Sequence, residues 1–224
     1  MECWHNRIKD GESVEWHLPT FASLLKTDSS RAPGPAPTYS PSHLLLALMT
    51  VGGAGAIGRH ALAREAGLGE GAVRTVIKWL KEDDYITVEP NGCQLTTKGK
   101  QAYAELKRVM PKTLELPKTS LTVGGAQVAV LIKGKSDRVS NGIEQRDSSV
   151  RAGAAGATTY VVKDSKFRMP GSSVDCEKAF PNRVWAKLRS ELKPEDGDVV
   201  IICGSNDMHA SLIGAIDAAL TLLA

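Results

Sequence analysis

From residue 40 onward, apolar positions recur at the spacing of helices. Ser40 before Pro41 is an N-cap followed by a first-turn proline, and Leu44, Leu45, Leu48 and Met49 then form one stripe, which Gly52 and Gly53 end. Leu62, Ala63 and Ala66 predict a second helix over 59–66, with Gly67 as its left-handed stop. A third helix begins after Gly69 and runs to about residue 83, carrying Val73, Val76, Ile77 and Leu80 on one side. Two short β-type runs, 85–88 and 93–95, flank the turn signal Pro90-Asn91-Gly92. Thr96 or Thr97 then caps a helix whose Tyr103, Leu106 and Met110 share a face. Helix, helix, helix, hairpin, helix is the order of a winged helix-turn-helix domain.

After residue 125 the pattern changes. Residues 126–132 are β-rich, 143–152 helical and 157–162 β-rich again, and Asp164-Ser165-Lys166 predicts a hairpin into a short strand at 167–169. A helical stretch over 176–192 is divided by Pro181, and Val184, Leu188 and Leu192 form its inner face. Val199, Val200, Ile201 and Ile202 mark a buried strand, and Leu212, Ile216, Leu220 and Leu223 the apolar side of a last helix over 208–223. The fold class expected is α+β or α/β: an N-terminal winged helix-turn-helix domain followed by a compact β-α-β-β-α-β-α domain. The divisions are 1–39, an N-terminal extension with a Pro-rich lead-in; 40–110, the winged helix; 111–125, a linker with two prolines and Gly124-Gly125; and 126–224, the α/β unit.

Composition adds little to this. Hydrophobic residues make up 42% and charged residues 24% of the 224, ordinary globular usage, and the net charge of +3 permits nucleic-acid binding without arguing for it. Cys3, Cys93, Cys176 and Cys203 contain no C-x-x-C pair, so neither a disulfide framework nor a zinc ribbon is indicated, and a reducing, cytoplasmic setting is expected. No apolar run has the length of a membrane span, and residues 1–10 lack a secretory pattern. A short helix over 18–25 and a metal site from Cys3, His5 and His17 are conceivable, but three ligands without a scaffold do not make a site, and no cofactor or metal is expected.

The third helix has a chemistry beyond packing. Opposite its apolar side stand Gly71, Thr75 and Lys78, flanked by Arg74 and Trp79. Arginine can fork onto a guanine edge or a phosphate, threonine can touch a base edge or a thymine methyl, and lysine neutralises phosphate. Arg59 and Arg64 on the second helix, and Lys98 and Lys100 after the hairpin, extend the cationic set. The tip Pro90-Asn91-Gly92, beside Glu89, carries no positive charge and predicts no minor-groove contact. The expected partner is double-stranded DNA. The same surface also reads as a protein-docking module, in which case the chain is an interaction adaptor.

Several stretches have a familiar composition. Ile57-Gly58-Arg59, the run from Gly67 to Thr75 (Gly-Leu-Gly-Glu-Gly-Ala-Val-Arg-Thr) and Leu95-Thr96-Thr97-Lys98-Gly99 resemble archaeal winged-helix transcriptional regulators. Gly142-Ile143-Glu144-Gln145-Arg146-Asp147 and the stretch from Ala152 to Thr159 are similar to the carboxy-terminal domain of unknown function that one such family carries. The resemblance runs from about Ala32 to the end and implies a regulator, but no established activity for the second domain.

Two polar clusters in that domain suggest a small-molecule effector site: Asn141, Glu144, Arg146 and Asp147 at one helix start, and Ser205, Asn206 and Asp207 after the apolar strand. Each equally reads as a turn or an N-cap. The chain contains no G-x-x-x-x-G-K-[ST], H-E-x-x-H, G-x-S-x-G or G-x-G-x-x-G motif, so no catalytic residues are assigned; an activity in the second domain remains the enzymatic alternative. The alanine-rich last helix is either core or a dimer contact, and a homodimer would present two reading helices to two half-sites.

Overall fold

The structure, a computed structural model, describes residues 20, 21, 24 and 39–223. The helix expected over 18–25 and the residues Cys3, His5 and His17 fall wholly or largely outside them. Helix α1 spans Pro41–Ala54, α2 Arg59–Glu65 and α3 Glu70–Glu82; strands β1 (Ile86–Glu89) and β2 (Gly92–Leu95) form the wing; α4 spans Thr97–Val109. The wing is an antiparallel hairpin with Glu89 opposite Gly92, and Ile57 adds an isolated bridge to Cys93. Local chemistry accounts for most boundaries. The Ser40 N–H donates to His43 Nδ1 at 3.1 Å, a reciprocal cap with histidine in the place usually held by Glu or Gln. Thr96 Oγ1 accepts from the Gly99 N–H at 3.0 Å and starts α4. At Gly99, an added Cβ would lie 1.9 Å from the Tyr85 carbonyl oxygen, so α4 and the root of the wing touch backbone to backbone.

The second unit contains β3 (Thr113–Leu116), β4 (Ala126–Ile132), a 3-10 turn (Ser136–Arg138), α5 (Ile143–Arg151), β5 (Gly156–Lys163), β6 (Lys166–Arg168), α6 (Cys176–Ala179), α7 (Val184–Leu192), β7 (Val199–Ser205) and α8 (Met208–Leu220). The sheet order is β3-β4-β7-β5-β6, and every neighbouring pair is antiparallel. Asp164 and Ser165 both have positive φ, as a two-residue turn joining twisted strands requires. Pro181 does separate α6 from α7. The segment read as a linker is not one: Thr113–Leu116 is an edge strand of the sheet, and the following loop is tied down by the buried Gln127, which accepts from the Thr119 backbone and hydroxyl and donates to the Gly124 carbonyl.

One sheet face packs Leu131, Tyr160, Phe167, Trp185, Leu188 and Ile202, with the three aromatic rings in edge-on or tilted contact. The other face carries α5 and α8, and α1 of the winged helix packs on α8. The core on this side is continuous from Leu45, Leu62 and Val73 through Ile216 and Ala219 to Val130 and Ile201. This explains why α1 buries Leu44, Leu45, Leu46, Ala47 and Leu48 in succession, more than a single stripe: it has neighbours on several sides. Asp217 fastens the contact. Its carboxylate accepts from the Ser42 hydroxyl on α1 and the Ser148 hydroxyl on α5, both at 2.6 Å. At the other end of α8, His209 Nε2 lies 3.0 Å from the Arg64 carbonyl, and its ring fills the space where Gly67, at φ +65°, lacks a side chain. Of the two roles open to α8, the structure gives it the core.

Cys203 on β7 is fully buried, and burial pushes its thiol from 9.0 up to about 11. The native state therefore keeps a proton that the unfolded chain releases. Its contribution to stability is intact below pH 9.0 and lost as pH rises to about 11. Urea unfolding at pH 8 and pH 10.5 is expected to give a larger alkaline loss for the wild type than for Cys203→Ala, by about 2 kcal/mol; equal losses would place the effect elsewhere.

Candidate nucleic-acid interface

Helix α3 buries Val73, Val76 and Leu80, and the period of 3.6 turns Gly71, Arg74 and Lys78 outward with Thr75 half-buried beside them. Gly69 stands at its N-cap with extended backbone. The outward cations are held loosely. Arg74 Nη2 is 3.5 Å from Glu70 Oε2, Lys78 Nζ is 3.8 Å from Glu82 Oε1, and the other Glu70 oxygen lies 3.7 Å from His60 Nδ1. Exposed pairs of this kind are worth a few tenths of a kcal/mol, about 0.3–0.5. Such weak carboxylate contacts keep the cations oriented and give them up readily to phosphate. Thr75 Oγ1 donates to the Gly71 carbonyl at 3.1 Å, which fixes its rotamer.

Beside α3, an open groove of about 420 Å³ separates the helix from the wing. Arg59, at the start of α2, and Arg74 line one side; Val88, Glu89 and Asn91 line the other. Asn91 Oδ1 accepts from Gln94 Nε2 at 2.8 Å, which steadies the hairpin tip. Residues as far apart in sequence as Arg59 and Arg74 thus meet in one concavity. Gly58 and Asn91, which the sequence reading did not include, belong to it as well; the bridge of Ile57 to Cys93 that brings Gly58 there leaves no periodic trace in the sequence.

The remaining predicted residues divide. Lys100 is exposed on α4. Arg64 is exposed with its Nε 3.9 Å from Glu65, and its carbonyl meets His209; it does not line the groove. Lys98 is a correction. Its ammonium donates to the Asp83 carbonyl at 2.6 Å and sits 4.4 Å from the centre of the Tyr85 ring, so it closes the C-terminal end of α3.

The joint ligand site expected in the second domain is also corrected. α5 and α8 run antiparallel, with Gln145 bonded to Thr221, Ser148 to Asp217 and Ala154 against Gly214. The cluster at 141–147 therefore lies at the C-terminal end of α8 and Ser205–Asp207 at its N-terminal end, about 20 Å away for 13 residues. Each cluster serves its own turn. Asn141 Oδ1 accepts from the Ile143 N–H, Arg146 donates to Asp147 Oδ1, Asp207 caps α8 through the Ala210 N–H, and Ser205 Oγ accepts from the Asp207 N–H. Glu144 and Asn206 are exposed. The antiparallel sheet, moreover, has no point where parallel strand order reverses to open a crevice. Among the described residues there is no metal-ligand cluster and no helix long and apolar enough to cross a membrane.

Three helices, a two-stranded wing and a closing fourth helix, with an uncovered cationic helix face, define a winged helix-turn-helix domain, here fused to an antiparallel sheet domain. Comparisons with known proteins agree with this division. Residues 46–110 match the CggR N-terminal DNA binding domain, and residues 123–222 match a domain of unknown function, DUF4443. The central glycolytic genes regulator of Priestia megaterium is 38% identical over 85 residues, which are 37% of this chain and 25% of that protein; the chain spans about a quarter of that relative's length. A hypothetical protein from Pyrococcus horikoshii OT3, of known structure, is similar over 82% of this chain and 92% of its own, with a TM-score of 0.67 and 26% identity. The resemblance to a winged-helix regulator joined to a domain of unknown function is thus shown.

Proposed function

We propose that the chain is a DNA-binding transcriptional regulator in which α3 enters the major groove of a duplex. Arg74, Thr75 and Lys78 reach base edges and the adjacent phosphates, Gly71 allows close approach, and Arg59 contacts the backbone from the far side of the groove. Arg64 and Lys100 are outlying phosphate contacts. The observation that carries this reading is that the outward side of α3 is left open by the carboxy-terminal unit, which instead grips the opposite side of the domain through α1 and the end of α2. The match of residues 46–110 to a DNA-binding domain supports it, as does the name of the Priestia megaterium relative. The second domain serves to sense a ligand or to hold two copies together, in a soluble cytoplasmic protein without catalytic function. With the joint polar site gone, sensing would fall to an open cleft of about 380 Å³ bordered by Asp137, Lys163 and Asp196.

Gel shift of the full chain on genomic fragments across a salt series is the direct test. A duplex binder loses affinity steeply as salt rises. Binding that is absent, or indifferent to salt, would favour the adaptor, whose partner is another protein.

A further inference from the structure

Helix α5 leaves one side unpartnered. Its buried residues are Gln145, Ser148 and Ser149, which face α8 and the sheet. Counting 100° per residue, the outward centre falls on Ile143, Asp147 and Val150. Ile143 and Val150 are 50% and 47% exposed, two large apolar side chains in the middle of a solvent-facing stripe where polar residues belong. Met169 is also exposed, and Pro170 lies next to Gly142 at the start of the helix, which extends the apolar surface beyond the helix itself.

We infer that this stripe is the contact by which two copies of the chain associate, α5 packing antiparallel on α5 about a two-fold axis between Arg146 and Asp147. The inference deepens the regulator reading and rests on it for its purpose, two reading helices on one duplex. The spacing supplies the argument. With the axis there, Ile143 of one copy lies opposite Val150 of the other, and the reverse, at the same height along the pair. On the flank, Glu144 of one copy stands near Arg151 of the other, within two residue rises of about 3 Å in height. Both are exposed, and neither has an ion pair among the described residues. The stripe is therefore complementary to itself in shape order and in charge, as an isologous interface must be. Arg146 and Asp147 come nearest the axis, where like charges from two copies would repel. Each copy neutralises its own, because Arg146 donates from Nε and Nη2 to Asp147 Oδ1 at 3.0 and 2.7 Å. α8, whose alanine-rich side also suggested a dimer contact, is covered by α1 and the sheet.

A nine-residue helix pair with its surroundings lies at the small end of specific interfaces, so the dimer is weak, with a Kd in the micromolar range. Sedimentation equilibrium of the full chain over a wide concentration range is expected to show a monomer–dimer equilibrium. Glu144→Arg alone and Arg151→Glu alone place like charges side by side twice per dimer, and each should raise Kd about tenfold. The double variant exchanges the charges and should return Kd to near the wild-type value, an outcome that a folding defect cannot imitate. A chain that stays monomeric at the highest concentrations, or a dimer indifferent to both single changes, overturns the inference. Neither result touches the salt-dependent binding of a single winged helix to DNA, so the two readings fail separately.

Discussion

Replacing Arg74 and Lys78 together by alanine is expected to weaken duplex binding roughly a hundredfold at moderate salt, while the melting temperature stays near the wild-type value. Both side chains are exposed, and their ion pairs with Glu70 and Glu82 are long, so little stability goes with them. On a duplex, each phosphate neutralised adds about 0.9 to the slope of log affinity against log salt, and a good base contact adds about 1–3 kcal/mol. Losing both side chains should flatten the slope by about 2 and reduce specific binding the most. Lys98→Ala gives the contrast. Its ammonium is committed to the Asp83 carbonyl, so its removal should lower the melting temperature and leave the salt slope alone. A slope unchanged in the double variant would mean that α3 is not the element on the DNA.

Gly99→Ala is expected to destabilise the winged helix by about 3 kcal/mol. The new Cβ would need the volume now held by the Tyr85 carbonyl oxygen, which is backbone and already accepts from the Thr96 N–H at 3.1 Å. Relief demands that α4 withdraw from the root of the wing, breaking that hydrogen bond and opening the packing of the buried Tyr85 and Leu106. For a chain of this size, the change corresponds to a fall in melting temperature of roughly 6–12 °C. Gly58→Ala, where an added Cβ meets nothing within 4 Å, should shift it by far less. Scanning calorimetry on the three proteins decides the matter.

These sites also mark what a linear reading can and cannot reach. Helices α1 to α4 and the wing are written in local terms: caps, periodic apolar residues, a Pro-Asn-Gly turn. So is the pairing of Arg74 with Glu70, four residues apart on one helix. β3 escaped because Pro111 and Pro117 bracket only five residues, and an edge strand tolerates such neighbours as readily as a linker does. Lys98 escaped because its partner is a carbonyl 15 residues earlier in the chain. The two polar clusters of the second domain were each recognised as possible caps, and that is how they serve. Their separation depends on the antiparallel setting of α5 against α8, which no local pattern encodes. The same is true of Ser42 and Asp217, 175 residues apart.

That last pairing has a mechanical consequence. A helix whose residues sit in one core shared by both units leaves no hinge between reading head and sheet domain, so the chain turns as one lever. In the proposed dimer, any stimulus acting on the sheet domain would reach DNA as a rotation of the whole arm, and the pitch between two such arms, set where the copies meet, would be the quantity under control.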